Sequence, residues 1–394
     1  MIVRQIEAGK AWFGAIGVVL LFSAGCQAPP IDAGVPDGDP DPARVERVRT
    51  LLSALAADSM EGRLTGSEGI RKASRLIAAE LESYGVEPGG DDGFLQTVPL
   101  RRIPPNPDAA GSRGALRPLP NMAAFDTVPL AEQVRDANVV GIIRGSDPIL
   151  SAEAIIVGAH FDHVGIGAPV EDSVFDATGA FVGMEMDSIY NGADDDASGV
   201  VAVLEVARAL AAGDPPERTV ILVLSTGEER GLIGTNYYIA NPVIPMDQTV
   251  ADLQIEMIGR PDSLAGGVGG AWLTGYERST MGDFLAATGS RIVPDQRLDQ
   301  NFFQRSDNIA FAMLGIPAHT ISSFNLHEEY HTPKDEVRHV DFQHMSTVIE
   351  STIDMVRAIA NGPKPEWHPG GAPEPRGGRG GRGGGGGAGA ASSR

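Results

Sequence analysis

The chain has 394 residues, of which 42% are hydrophobic and 21% are charged. This balance is typical of a globular protein and excludes a collagen, a coiled coil or a wholly disordered chain. The formal net charge of −21 disfavours nucleic acid as a partner, because an acidic surface repels phosphate groups. With Cys26 as its single cysteine, the chain can form neither a disulfide framework nor a cysteine-rich zinc site, so any metal must be bound by His, Asp and Glu.

The N-terminal residues have the features of an export signal. Basic residues precede an apolar run over residues 11–24, which is too short for a permanent membrane span. The small residues before Cys26 resemble a bacterial lipoprotein signal, in which that cysteine is lipidated after cleavage, although Ser23 stands where leucine is usual. We therefore predict a lipoprotein-type signal peptide at residues 1–25 and an exported protein that contacts the membrane only through a lipid on Cys26. Simple secretion is the alternative.

Composition divides the rest of the chain into three parts. Residues 26–44 are rich in Pro, Gly and Asp and predict a flexible tether. Residues 363–394 end in Gly and Arg repeats that have nothing to bury, which predicts a disordered tail. The residues between them, 45–362, are numerous enough for a single globular domain with a substantial core.

The domain alternates short apolar runs with helical patterns. Helical spacing is present over residues 45–55, and Ser67 can cap a second helix that ends near residue 84. The predicted strands are 139–143, 154–159, 220–224, 253–258 and 317–321, and the later helices are 197–212, 232–240, 309–314 and 340–360. Residues 101–137 are predicted to be an irregular loop or a small insertion. This order indicates an α/β fold with a mostly parallel central sheet covered by helices on both faces.

Side chains that can bind a metal ion lie at or near the ends of the predicted strands. They are His160, Asp162 and His163 after the strand at 154–159, Glu228 and Glu229 after 220–224, Glu256 in 253–258, and His327 and His331 after 317–321; Asp194, Asp195 and Asp196 precede the helix at 197. Taken singly, each has an ordinary alternative, such as a helix cap at Asp196 or a solvated loop residue. Because carboxyl ends of parallel strands share one edge of a sheet, these groups should gather there. Such a cluster is repulsive unless a cation neutralises it, which predicts a metal centre.

The motifs GAHFDHVG, NGADDDASGV, TGEERGLIG, IEMIGR and EEYHTPKDE occur in this order. Together they resemble the two-zinc exopeptidases of metallopeptidase family twenty-eight, which includes secreted bacterial aminopeptidases and glutamate carboxypeptidase. GRLTGSEG and RSDNIAFAMLGIPA add to a likeness that covers roughly residues 45–362. The resemblance implies the zinc exopeptidase fold of the phosphorylase/hydrolase type, two Zn²⁺ per chain, and a peptide or small aminoacyl substrate.

The resemblance also implies a role for each site residue. The implied ligands are His160 and Glu256 for one zinc ion, Glu229 and His331 for the other, and Asp195 bridging both. The other implied roles are those of Glu228 as general base, Tyr330 as donor to the tetrahedral intermediate, and Asp162 as the carboxylate that orients His160. Many relatives have Asp where Glu256 stands and His where Asn308 stands. His163 is interpreted as a supporting or surface residue and not as a ligand.

Several other functions stay open at this point. His327 and His331 also fit the H-E-x-x-H signature of single-zinc endopeptidases, but that signature requires a helix, which Pro333 opposes. A non-catalytic surface binding module and a single-zinc glutaminyl cyclase are alternatives on the same scaffold. Aminopeptidase activity is the favoured prediction, with carboxypeptidase and dipeptidase activity left open. The sequence does not define the oligomeric state.

Overall fold

The computed structural model describes residues 40–106, 114–176 and 178–374. The predicted signal peptide, Cys26 and residues 27–39 of the predicted tether lie outside these ranges, as does the predicted tail beyond residue 374. Within the described ranges, no helix is both long enough and apolar enough to cross a lipid bilayer.

A large sheet forms the centre of the domain. The strands of the described residues are β1 (Glu87–Pro88), β2 (Leu95–Ile103), β3 (Ala115–Pro118), β4 (Gln133–Ile143), β5 (Ala154–His160), β6 (Gly165–Phe175), β7 (Phe181–Tyr190), β8 (Thr219–Ser225), β9 (Thr249–Ile255), β10 (Ala271–Leu273), β11 (Ile292–Pro294) and β12 (Ala318–Ser322). The large sheet has the order β11-β10-β12-β9-β5-β8-β4-β2-β3, with β1 paired to β4, whereas β6 and β7 form a separate hairpin.

The four central strands β8, β5, β9 and β12 are parallel. Antiparallel strands flank them, with β4 and β2 on one side and β10 on the other. Parallel strands require crossover connections, and here helices provide most of them. This arrangement confirms the predicted α/β fold with a mostly parallel central sheet.

Helices cover both faces of the sheet. They are α1 (Pro42–Leu55), α2 (Glu68–Ser83), α3 (Met122–Phe125), α4 (Gly199–Ala212), α5 (Ile233–Ala240), α6 (Met281–Ala287), α7 (Asn308–Ala312) and α8 (Phe342–Asn361). Successive strand residues point to opposite faces. Ile155 and Val157 of β5 therefore belong to the core beneath α1, α2, α4 and α8, whereas Ile156 belongs to the core beneath α5 and α7.

Side-chain caps define where two of the long helices begin. The Ser67 hydroxyl accepts a hydrogen bond from the Ile70 N–H at the start of α2, as predicted. Asp341 accepts hydrogen bonds from the N–H groups of Gln343 and His344 at the start of α8. Such caps satisfy backbone donors that have no partner within the helix.

The prediction of an irregular loop or small insertion over residues 101–137 is wrong for part of this range. β2 extends to Ile103, β3 pairs with it, and β4 begins at Gln133. These antiparallel strands lie at the edge of the sheet, and Arg101 and Arg102 are exposed. A strand with a solvated face lacks the continuous apolar run by which the central strands were recognised.

The structured region also continues beyond the predicted domain. α1 begins at Pro42, and the chain from residue 363 to 374 lies against the domain. The Trp367 indole N–H donates to the Gly315 carbonyl at 3.0 Å, and its ring contacts His319 and Phe303. The predicted start of the tail at residue 363 is therefore too early. The Trp367 side chain anchors a segment that is otherwise polar.

Candidate metal centre

The predicted site residues meet at one edge of the sheet. His160 is the last residue of β5, Glu256 directly follows β9, and Glu228 and Glu229 follow β8. His331 lies in the loop after β12. These four strands are parallel neighbours, so their carboxyl ends bring the side chains together.

Asp195 lies at the centre of the cluster and is 2% exposed. Its Oδ1 is 3.2 Å from His160 Nε2. Its Oδ2 is 3.0 Å from His331 Nε2 and 3.8 Å from His163 Nδ1. The two oxygens of one carboxylate thus face different imidazoles.

Two sets of potential metal ligands share Asp195. The three-donor group consists of His160, Asp195 and Glu256, and the four-donor group consists of His163, Asp195, Glu229 and His331. Within each group, one ligand atom from every residue lies within 4.8 Å of the others. His331 Nε2 is also 2.9 Å from Glu229 Oε1, so the four-donor group is closely spaced.

The unpaired atoms of these groups test whether a metal fits. His160 Nε2, His163 Nδ1, His331 Nε2 and Glu229 Oε1 are buried and have no hydrogen-bond partner, although carboxylate oxygens lie near each nitrogen. Leaving one buried polar atom unpaired costs about 1–3 kcal/mol. These nitrogen and oxygen atoms lie side by side without forming hydrogen bonds to one another. Ligand atoms around a shared cation have the same arrangement. Imidazole nitrogen and carboxylate oxygen are zinc ligands, so the residues fit this metal.

Asp162 has a different contact from the one predicted. His160 Nδ1 donates to the backbone carbonyl of Asp162 at 3.2 Å, whereas the Asp162 carboxylate oxygen lies 3.7 Å from this nitrogen. The carboxylate instead accepts hydrogen bonds from the Glu228 N–H at 2.9 Å and from the Thr65 hydroxyl at 3.1 Å. In the neutral imidazole this bond places the proton on Nδ1, and Nε2, which faces Asp195, is then the nitrogen that can bind a metal.

Two buried residues that support the cluster were missed in the sequence. Asp335 accepts hydrogen bonds from the N–H groups of Asp194 and Asp195. The Arg63 guanidinium donates to the carbonyls of Phe161 and Gly192, among others. Both lie inside recognised motifs, GRLTGSEG and EEYHTPKDE, but only their tertiary partners reveal what they do.

His163 does not lie on the surface, because it is 1% exposed and belongs to the four-donor group. His327 belongs to neither group. Its Nε2 lies 3.1 Å from Asp194 Oδ2, and the segment from His327 to His331 is not helical. The helical H-E-x-x-H arrangement of the single-zinc alternative is therefore not formed.

The two adjacent glutamates differ in their affinity for a proton, although both are buried. Burial, with neighbouring carboxylates such as Glu256, raises the pKa of Glu228 well above its usual value, despite the opposing effect of His160. Burial and Asp195 also oppose ionisation of Glu229. Its contacts with His163 and His331 outweigh them, and the pKa of Glu229 falls to about 2. Glu228 therefore retains affinity for a proton, whereas Glu229 remains an anion.

A pocket opens beside the cluster. Asp195, Glu228 and Glu256 line its polar side. Met257, Trp272, Phe302, Phe324 and Tyr330 form its apolar wall. Within this wall, Trp272 stacks on Phe302 with ring centroids 5.1 Å apart.

Comparison with known proteins agrees with this architecture. The model of Peptidase family M28 matches residues 138–356, which is more than half of the chain. A probable zinc metalloprotease of Leptosphaeria maculans is 28% identical over 212 residues, which are 50% of this chain and 40% of that protein. The chain therefore spans less than half the length of that relative.

Solved structures share the fold at low sequence identity. An aminopeptidase from Aneurinibacillus sp. strain AM-1 has a TM-score of 0.56 and 17% identity, covering 81% of this chain and 95% of its own. A glutaminyl cyclase from Porphyromonas gingivalis has a TM-score of 0.51 and 16% identity, covering 79% of this chain and 97% of its own. The two differ in named activity, so the shared fold does not define the reaction. By its match to the family model, the chain belongs to peptidase family M28.

Proposed function

We propose that this protein is a zinc-dependent exopeptidase, and specifically an aminopeptidase, that uses two zinc ions. The observation that carries the proposal is the convergence of two sets of ligand atoms on the two oxygens of Asp195, beside a pocket lined by Glu228. One zinc ion would be bound by the three-donor group. The other would be bound by Glu229 and His331, with Asp195 shared between the ions.

The protein's own residues would move the protons. Bound zinc would polarise the scissile carbonyl and make a water molecule more acidic. Glu228 would accept a proton from the attacking water while the oxygen of that water bonds to the carbonyl carbon. Glu228 would then deliver this proton to the leaving amine nitrogen as the C–N bond breaks. The raised affinity of Glu228 for a proton supports this role.

Tyr330 would stabilise the negative charge that develops on the carbonyl oxygen. Its ring stacks on His331, with centroids 3.9 Å apart, so the hydroxyl is held near the cluster. Burial, together with Asp195 and Glu229, raises the pKa of Tyr330. The hydroxyl therefore stays protonated at neutral pH and can donate a hydrogen bond to that oxygen.

The pocket supports a substrate with a free amino terminus and an apolar first side chain. Its aromatic wall would bury the side chain, and its carboxylates would attract the terminal ammonium group. Arg305 also lines the pocket, with its guanidinium 5.1 Å from the Phe302 ring centroid. A carboxypeptidase would need such a cation for the substrate carboxylate, so substrates of both kinds belong in the test.

The test combines metal analysis with hydrolysis of aminoacyl chromogenic substrates. We expect about two zinc ions per chain in active protein, and kcat of the Glu228→Gln variant lowered by about 10²–10⁴-fold with its zinc content preserved. Glu328→Gln, at an exposed glutamate of the same site loop, is the matched control. His331→Ala should lose both metal and activity. A fully active preparation with one zinc ion would contradict the two-zinc proposal.

Other substrates distinguish the alternatives. Cyclisation of N-terminal glutamine without peptide hydrolysis would identify a glutaminyl cyclase. Hydrolysis only of peptides with a free carboxyl terminus would identify a carboxypeptidase. A metal-loaded protein with neither peptidase nor cyclase activity would be a binding module, and the role of Glu228 would then be refuted.

We further propose that the protein is exported and anchored by a lipid on Cys26. This proposal is supported by the N-terminal sequence, namely the basic start, the apolar run and the small residues before the cysteine. A single acyl chain anchors a protein weakly, whereas several anchor it firmly.

A further inference from the structure

The four-donor group contains a histidine that the proposed ligand set does not include. His163 Nδ1 lies 3.1 Å from Glu229 Oε1 and 3.8 Å from Asp195 Oδ2. Both ring nitrogens are buried and lack a hydrogen-bond partner. A neutral imidazole carries one N–H donor and one acceptor, so leaving both unpaired in the interior is costly. The ring is therefore placed where a further binding partner would stabilise it.

We propose that His163 is a fourth protein ligand of the second zinc ion, and that the two metal sites are unequal as a result. This inference rests on the proposed function, because it assumes that the cluster binds zinc. Four protein ligands complete a tetrahedral zinc site, whereas three leave a position for water or substrate. The four-donor group would hold its ion tightly, and the three-donor group would hold the more exchangeable ion.

The distances within the four-donor group suit a tetrahedral ion. Zinc bonds of about 2.0–2.2 Å separate neighbouring ligand atoms by roughly 3.3–3.5 Å. The separations from His331 Nε2 are 2.9 Å to Glu229 and 3.0 Å to Asp195, and those from His163 Nδ1 are 3.1 Å to Glu229 and 3.8 Å to Asp195. The His163 and His331 rings meet edge to face, with centroids 5.5 Å apart, as two imidazoles on one ion can. Modest shifts of these four side chains would therefore suffice for them to bind one zinc ion.

The backbone around His163 holds the ring in this position. The His163 N–H donates to the Arg63 carbonyl at 3.2 Å. Gly192 lies against the ring, and a Cβ at this glycine would be 2.6 Å from the imidazole carbon Cδ2. Gly192 also has φ of +55°, a conformation that glycine adopts most readily. A glycine is thus required where the imidazole passes closest to the main chain.

A supporting role for His163 is the competing explanation. Its Nδ1 could in principle donate a hydrogen bond to Glu229 and so orient that ligand. The N–H direction does not meet the geometry of a hydrogen bond, despite the 3.1 Å separation. The two atoms lie beside each other, as neighbouring ligands do. The explanations differ in how many imidazoles contact the tightly bound ion.

Zinc titration of the metal-free full chain tests the inequality of the sites. We expect a tight and a weak class of binding. His163→Asn should weaken the tight class by at least tenfold, whereas Glu256→Gln should remove the weak class and leave the tight one. His339→Asn changes an exposed histidine outside both groups and should alter neither. Unchanged tight binding in His163→Asn would overturn the proposal.

X-ray absorption with one equivalent of zinc counts the imidazoles that contact the tightly bound ion. Two imidazoles should surround the ion in the natural protein, and one in His163→Asn. One imidazole in the natural protein would assign His163 a supporting role and overturn the inference. Absence of any zinc binding would instead refute the proposed function, so the two failures are distinguishable.

Discussion

Asp335 belongs to neither donor group, yet it holds the backbone from which Asp195 projects. One of its oxygens accepts a hydrogen bond from the Asp195 N–H at 3.0 Å, and both lie 3.1 Å from the Asp194 nitrogen. A buried carboxylate thus sets the position of Asp195, the residue that the two donor groups share. Residues that orient metal ligands commonly change metal affinity when they are replaced.

Asp335→Asn should therefore weaken zinc binding by about 10–100-fold. The amide keeps the shape of the side chain but places an NH₂ group where an acceptor is needed. Zinc titration measures the effect, and urea unfolding of the metal-free protein separates it from a loss of stability. Asp299→Asn, at an exposed aspartate, is the control. Equal zinc affinity in all three proteins would contradict the assigned role.

His319 couples the stability of the fold to pH. It donates from Nδ1 to the Thr274 carbonyl and contacts the Ser279 hydroxyl through Nε2, both at 2.7 Å. Burial lowers the pKa of His319 from 6.5 to about 4, with the Thr274 contact opposing the shift. The unfolded chain therefore binds a proton at higher pH than the folded chain does. This stabilisation is present above pH 6.5 and is lost as the pH falls toward 4.

His319→Asn should remove this part of the acid sensitivity. Each pH unit within the window corresponds to about 1.4 kcal/mol, which sums to about 3 kcal/mol for His319. Urea unfolding at several pH values from 4 to 7 measures the slope. His368→Asn, at an exposed histidine, should keep the natural slope. Parallel pH profiles for all three proteins would show that His319 is not responsible.

At the scale of elements, burial decided which predictions succeeded. The central strands β5, β8 and β9 are buried along their entire length, so their apolar runs were recognisable in the sequence. β6 and β7 pair with each other as a hairpin, largely solvated, and contain Gly, Pro and charged residues. No periodic apolar signal marks such strands, and they were not predicted.

The C-terminal segment provides a test at the same scale. A chain ending after Glu374 should unfold at the same temperature as the full chain, since the contacts described above lie before that point. A chain ending after Gly362 lacks Trp367 and should lose about 1 kcal/mol, roughly half the value of fully burying a large apolar side chain, because Trp367 is half-buried. Thermal unfolding measures both. Equal stability of the two truncated chains would contradict an anchoring role for Trp367.

At the scale of the whole molecule, the N-terminal sequence predicts where the protein resides. Cys26→Ser should shift the protein from the membrane fraction to the soluble fraction, because the proposed lipid is attached to this sulfur. Fractionation of cells that express the natural and variant chains measures the change, and catalytic activity should be retained. The same distribution for both chains would refute the lipid anchor. Secretion of the natural chain into the medium would support the alternative of simple export.

The sequence by itself determined the fold class, the family resemblance and most residues of the cluster of potential metal ligands. Apolar runs and side chains at strand ends are local features, and the topology of parallel strands brings such ends together. The tertiary structure decided which atoms meet. It placed His163 beside Glu229, directed the Asp162 carboxylate to the Glu228 backbone, and assigned Arg63 and Asp335 to the support of the cluster. These contacts join segments far apart in the chain, and their geometry depends on packing that no local pattern encodes.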